Sequence, residues 1–202
     1  KVQGTNDDNW GGHIVTAHNK DSGFVNGQLI TVERKGLGFI DHVEFFNCSQ
    51  YDTDKAAVRF ADFYSLSSGE SRSYVTNSAI HNGRGIGIMV THADDVLVDN
   101  NVVFYQLIGG IWMKASDNTT ITNNVVAGMG TRYWSDETRL DELAGFDLCN
   151  KDQDCTGLVV KNNIVGGGER VGFAIPTHAC SETNNYENNL AHSVEHGAWV
   201  FH

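Results

Sequence analysis

Proline is nearly absent, one in 202 residues, and cations are few, 14 Lys plus Arg against 25 Asp plus Glu. The resulting formal net charge of -11 repels nucleic-acid phosphates and anionic membranes, and no basic patch interrupts it. Long apolar runs are missing as well. The longest span only a few residues, far below the roughly 20 of a membrane-spanning helix, so neither a nucleic-acid partner nor direct membrane insertion is expected. With 40% apolar residues the chain is long enough for one domain with a core of its own, and four cysteines do not make it a disulfide-only mini-protein. What is abundant is Gly, 22 residues, and Asn, 19 residues, the two types that accept left-handed backbone at turns. A mostly helical protein would not carry them. The chain starts at Lys1 without Met or a signal segment and stops in the strand-like run Ala198-Trp199-Val200-Phe201-His202, so it reads as a piece of a longer protein.

Paired Asn residues followed by an aliphatic residue recur at Asn100-Asn101-Val102, Asn123-Asn124-Val125, Asn162-Asn163-Ile164 and Asn188-Asn189-Leu190, with a degenerate copy at Asn77-Ser78-Ala79. The first two intervals are 23 residues each, and the later ones, 39 and 26, imply an insertion. Ile40-Asp41-His42-Val43-Glu44-Phe45 fits the same frame upstream. Each copy opens with Gly and an alternating stretch (Gly87-Ile88-Met89-Val90, Gly110-Ile111-Trp112-Met113), then a polar turn, a short strand, the Asn pair and a third strand. Three short β-branched strands per period describe one rung of a parallel β-helix. Leucine-rich repeats have a similar period, but Leu is too scarce. The expected fold is therefore all-β: one right-handed parallel β-helix domain over residues 1–202, of about seven or eight rungs, carrying one short helical insertion at about residues 130–156. Ile88, Val90, Ile111, Met113, Phe146, Leu148, Phe173 and Ile175 should point inward, because alternate strand residues share a face.

Rungs about 4.8 Å apart allow Asn side chains at one turn to form an amide ladder while the backbone takes the left-handed bend. The expected ladder is Asn77, Asn100, Asn123, Asn162 and Asn188. Within the insertion, residues 131–144 read as a short helix capped by Ser135 and stopped by Gly145, with Leu140, Leu143 and Ala144 as its apolar stripe.

The motif order Trp10-Gly11-Gly12-His13-Ile14-Val15, Ile40-Asp41-His42-Val43-Glu44-Phe45-Phe46, Ser73-Tyr74-Val75-Thr76-Asn77-Ser78-Ala79-Ile80-His81-Asn82 and Asn189-Leu190-Ala191-His192-Ser193 resembles the parallel β-helix region of the fibrocystin and fibrocystin-like family. That region is also similar to the β-helix of the cell-migration-inducing hyaluronan-binding protein and its transmembrane relative. The resemblance implies a large ectodomain at a cell or ciliary surface, in which this segment follows a G8-type module. Its partners would be neighbouring domains of the same chain and extracellular proteins or glycans.

Chemistry-bearing residues are sparse. Asp94-Asp95 superficially matches part of a polygalacturonase site but lacks the companion carboxylate, His and Arg/Lys motifs on neighbouring rungs, so no enzyme is expected and no catalytic residue is assigned. The alternative is a carbohydrate-active β-helix that binds or cleaves a polysaccharide such as hyaluronan, with Tyr133 and Trp134 of the insertion stacking on sugar rings. His81 and His192 share a frame position, but on rungs too far apart to hold one ion. Asp94 and Asp117 each lie six residues before a ladder Asn and should stack in adjacent rungs, where calcium could offset their repulsion or turn hydrogen bonds could use them. No other cofactor is expected. Asn47-Cys48-Ser49 and Asn118-Thr119-Thr120 are N-glycosylation sequons, consistent with an extracellular address. Cys155 and Cys180 lie seven and eight residues before their Asn and so enter their rungs at nearly one turn. That register favours a Cys155–Cys180 disulfide over a local Cys149–Cys155 loop, leaving Cys149 unpaired or buried and Cys48 free.

Overall fold

The computed structural model describes residues 1–4, 11–51, 53–63, 70–130, 143–149, 155–168, 171–176 and 183–201. Three parallel sheets run along the stack. The long sheet consists of Ile14–Ala17, Val58–Phe63, Ile86–Ala93, Gly109–Lys114, Ala144–Leu148, Val171–Pro176 and His196–Phe201. The second sheet holds Phe39–Asp41, Tyr74–Thr76, Leu97–Asp99, Thr120–Thr122, Val159–Lys161 and Asn185–Glu187. The third holds Val2–Gln3, Glu44–Phe46, Ala79–His81, Val102–Phe104, Val125–Ala127, Ile164–Gly166 and Leu190–His192. Taken in chain order these strands make six complete coils, with Val2–Gln3 before them and His196–Phe201 after. Seven or eight rungs were expected. The first coil takes more residues than the period allows, because a β-hairpin is inserted between its first and second strands.

That hairpin, Asn19–Val25 against Gln28–Arg34, is the one antiparallel pair among the described residues. Asn26 and Gly27 both have positive φ, 52° and 79°, the backbone of a tight type I′ turn whose twist suits the flanking strands. Its base is polar, with Lys20 bonded to Glu33 at 2.8 Å, Arg34 to Asp21 at 3.0 Å and Ser22 to Thr31 at 2.9 Å. Its tip is apolar and exposed, Phe24 at 76% and Leu29 at 62%.

Alternation builds the core. Ile14, Val58, Ile88, Ile111, Phe146 and Phe173 stand in register along the inner face of the long sheet, with Phe60, Val90, Met113 and Leu148 as a second row. Of the eight residues expected inside, seven are buried; Ile175, near the end of its strand and in register with the 56% exposed Val200 of the last strand, is half-buried. The three-residue strands of the other sheets point their central side chain inward: Val75, Val98, Ile121 and Val160 in one, Phe45, Ile80, Val103, Val126 and Val165 in the other. The Phe146 and Phe173 rings stack at 4.8 Å.

The Asn pair makes the corner between the second and third sheets. Asn77, Asn100, Asn123, Asn162 and Asn188 all have φ between 50° and 57°, as a two-residue left-handed corner demands. They are exposed, and side-chain bonds join Asn100 to Asn77 (2.7 Å) and Asn162 to Asn123 (3.4 Å), while Asn77 and Asn123 instead donate to Asp41 and Asp99. The continuous ladder is one residue further on. Nδ2 of Asn101, Asn124 and Asn163 donates to Oδ1 of Asn124, Asn163 and Asn189 at 3.0 Å each, and the same Oδ1 atoms accept the backbone N–H of Asn101, Asn124 and Asn163. The other Nδ2 hydrogen goes to Val75, Val98 and Ile121 carbonyls, and Asn189 donates to Val160. The expected ladder is thus displaced by one position. The first Asn supplies the bend and faces solvent, whereas the second faces the interior, where unpaired amides are costly and pairing is enforced.

Two further expectations are corrected. Residues 131–142 of the expected helix lie outside the described residues, but Ala144, assigned to its apolar stripe, opens the long-sheet strand Ala144–Leu148 and Leu143 immediately precedes it. The extra residues of this coil are therefore split around a strand. The disulfide joins Cys149 to Cys155 rather than Cys155 to Cys180, with Cα atoms 6.2 Å apart. Cys149 sits just past the strand end in a left-handed conformation, φ 57°, which turns the chain so that a six-residue separation can close. Cys180 lies outside the described residues. Cys48 is a buried thiol, its pKa raised by burial.

Candidate functional site: the outer face of the long sheet and its flanking turns

Register places Val15, Arg59, Met89, Trp112, Asp147, Ala174 and Trp199 in one row on the outer face of the long sheet. An outward row on a solenoid is ordinarily solvated, yet Met89, Trp112 and Asp147 are only 1%, 5% and 2% exposed. Met89 and Trp112 pack with Ile86, Ile108 and Leu143 in an apolar cluster separate from the main core. Trp112 donates Nε1–H to the Ala144 carbonyl at 3.1 Å, and Lys114 Nζ lies 5.5 Å from its ring centre, within cation–π range. Arg59 donates from Nη1 to the Asp54 carbonyl at 3.2 Å. Asp147 thus stands in a shielded, aromatic-lined place, where a carboxylate interacts with a cation far more strongly than in water. Its in-register neighbours are Trp112 and Ala174; Arg59 is three rung steps away, about 14 Å. The paired carboxylates of a glycoside hydrolase, about 5 to 9.5 Å apart, are not formed within this row.

The turn after the long strands carries the two aspartates singled out from the sequence. Asp94 Oδ1 accepts the backbone N–H of Asp117 at 2.8 Å, and Asp117 Oδ1 accepts the N–H of Thr156 at 2.6 Å and its hydroxyl at 3.1 Å. Each carboxylate so holds the next rung's turn. Among the described residues no three His, Cys, Asp or Glu side chains gather as a metal-binding group. Arg72 was not legible as part of this turn. Its guanidinium donates to the carbonyls of Asp95 (2.7 Å), Val96 (2.8 Å) and Asn118 (2.9 Å) and to the Thr120 hydroxyl (2.8 Å), tying two turns together, and burial lowers its pKa. A lone Arg between two Ser residues gives no sequence signal for that role.

The two sequons differ. Asn118 is exposed at the tip of its turn. Asn47 is half-buried, and Ser49 of its sequon is fully buried, accepting the Gly85 N–H at 2.8 Å. Tyr133 and Trp134 lie outside the described residues. His81 and His192 do fall on one outward row of the third sheet, four rung steps apart, about 19 Å.

Comparison with known proteins agrees with this architecture. Canine fibrocystin is 28% identical over 141 residues, covering 69% of this chain and 3% of its own length. Mouse fibrocystin-L is 27% identical over 186 residues, 88% of this chain and 4% of its own, and human fibrocystin-L is 24% identical over 175 residues, 82% and 4%. The chain therefore spans only a few per cent of the length of these relatives. No solved structure gives a significant match. Residues 12–133, more than half the chain, match the model of the right-handed β-helix region, and the chain belongs to that family.

Proposed function

We propose that this domain is a rigid structural and binding module of a large extracellular chain at a cell or ciliary surface, presenting the solvent-reached part of its long sheet's outer face, Lys114 and Trp199 among it, to a protein or glycan. The continuous buried Asn ladder carries this reading: from Ser78 to Asn189 every coil is bonded side chain to backbone with the next. A stack held at each corner resists bending between rungs and keeps its outward rows at fixed spacing. The fibrocystin relatives, of which the chain covers only 3–4%, support a place within a much longer polypeptide. The Cys149–Cys155 disulfide and the exposed Asn118 sequon support an oxidising, secretory address. A second reading, a carbohydrate-active domain, is favoured by one feature, the buried Asp147 beside Trp112 on the outer face.

Full-length protein captured from its membrane or ciliary fraction, native or carrying Lys114→Glu with Trp199→Ala on this face, tests the proposal. Loss of a specific partner from the double variant is expected. Turnover of hyaluronan by the 202-residue chain, with or without calcium, would replace the module by the carbohydrate-active reading.

A further inference from the structure

The outer face of the third sheet carries a column of rings that the long-sheet reading does not use. Phe46, His81 and Phe104 are in register on successive coils, with ring centres 5.2 and 4.6 Å apart, the second pair stacked nearly parallel at 4°. The same row continues through Ala127 and Gly166 to His192. Gly166 has no side chain to hold His192 off, and that imidazole lies back across it: a Cβ there would meet His192 Cε1 at 2.4 Å. Phe104 on one side and the reclining His192 on the other therefore stand about two rung steps apart, near 10 Å, with only the Ala127 methyl between.

Over Ala127, the register neighbour of Phe104, lies a shallow notch of about 310 Å³ lined by Val125, Ala127, Gly128, Ile164, His192 and Ser193. Tyr105, 65% exposed, stands beside Gly128, 3.5 Å from where its Cβ would be, and meets Phe104 edge-on at 5.7 Å. A planar ring over Ala127 would lie about 4.8 Å from each neighbour, the spacing the column already shows and one that aromatic pairs prefer. We infer that this notch binds an aromatic side chain, Trp or Tyr, of a protein partner, which inserts between Phe104 and His192 and continues the column. A sugar ring fits the gap less well, because only His192 and Ser193 at one end could bond its hydroxyls, while those set against Val125, Ala127 and Ile164 would be desolvated without compensation. The notch lies on a different sheet from the long-sheet face, so either proposal can fail alone.

The test is NMR titration of the ¹³C-methyl-labelled 202-residue chain with N-acetyl-tryptophanamide, and separately with methyl β-glucoside. The expected result is a saturable upfield shift of the Ala127 methyl and the His192 Cε1–H with the indole compound alone. The His192 shift should vanish in Ala127→Leu, which fills the gap from the outer face, and the Ala127 methyl shift should weaken at least severalfold in His192→Ala, an exposed change that leaves the fold intact whatever Ala127→Leu does. Absence of a saturable shift, its persistence in both variants, or an equal response to the glucoside would overturn the inference, the last in favour of a sugar site.

Discussion

Replacing Asn124 by Ala tests which Asn of each pair holds the stack. Asn124 is 0% exposed and makes four bonds of 3.0 Å: Nδ2 to the Val98 carbonyl and to Asn163 Oδ1, and Oδ1 from the backbone and side-chain amides of Asn101. Truncation leaves the Asn101 N–H without its acceptor and removes one of two acceptors from the Asn101 side chain, in a place closed to water. A buried donor left unmade costs about 1–3 kcal/mol, and two such groups with partial relaxation give a loss of about 3 kcal/mol. Asn123→Gly, one position earlier, removes exposed bonds and keeps a residue that accepts φ of 57°, so its loss should stay below about 1 kcal/mol. Urea midpoints followed by Trp fluorescence compare the two, and amide exchange localises the damage to Asn101. Equal losses in the two variants, or an Asn101 amide no faster in Asn124→Ala, would refute the assignment of the ladder.

Three other outcomes are expected. Gly83→Ala should cost about 3 kcal/mol in chemical denaturation, since its Cβ would fall 2.3 Å from the Cys48 carbonyl and 2.1 Å from Gln106 Oε1, whereas Gly23→Ala in the open hairpin should change stability by less than about 0.5 kcal/mol. Non-reducing peptide mapping should recover Cys149 and Cys155 in one linked peptide, and their selective reduction should destabilise the chain by about 2 kcal/mol in the chain-entropy account of so short a loop; a peptide joining Cys155 to Cys180 would contradict it. Hydrogen bonds from Asn77, Thr76 and His42 hold the Asp41 carboxyl down at about 2. Because that lies below the unfolded value of about 3.9, its contribution is complete above pH 4 and is lost as pH falls from 4 towards 2; ¹³C NMR of the carboxyl should show this midpoint, and Thr76→Val should raise it.

The period, the strand faces and the position of the corner were legible because each depends on local rules that repeat: alternation for Ile88 and Val90, left-handed tolerance for Asn100 and Asn123. Which Asn faces inward was not. Two adjacent residues of one type give composition no means to choose, and only the corner geometry decides that the first bends and the second is enclosed. The hairpin has its own local mark in Val25-Asn26-Gly27-Gln28, a strong two-residue turn signal, but it does not repeat and so leaves no trace in the 23-residue period. Burial of Met89, Trp112 and Asp147 was out of reach, because alternation assigns a side chain to a face and says nothing about what covers that face. The disulfide failed for a related reason: rung register measures the distance between stacked turns, whereas Cys149 and Cys155 meet through a local turn.

If side-chain pairing between coils is what specifies the stack, a whole coil should be removable provided the phase is kept. Deleting residues 101–123 removes 23 residues, the separation of the ladder partners Asn101 and Asn124, and joins Asn100 directly to Asn124. The corner sequence Asp-Asn-Asn-Val is regenerated. Asn124 then takes the place of Asn101 beneath Ser78, with its Nδ2 directed at the Val75 carbonyl. Ile88 comes to lie under Phe146, Val98 under Val160 and Ile80 under Val126, so all three inward rows stay apolar. Asp94 can accept the Thr156 N–H that Asp117 held, and Arg72 loses two of its four bonds. The shortened chain should fold, unfold at a lower urea midpoint as expected of an array with one fewer neighbour contact, and measure about 4.8 Å shorter along the stack by small-angle scattering. Deleting residues 101–120 instead joins Asn100 to Ile121, puts every later inward residue out of phase and should leave the C-terminal coils unfolded. Loss of structure in the in-phase deletion, or equal tolerance of both, would show that something other than rung-to-rung pairing sets the register.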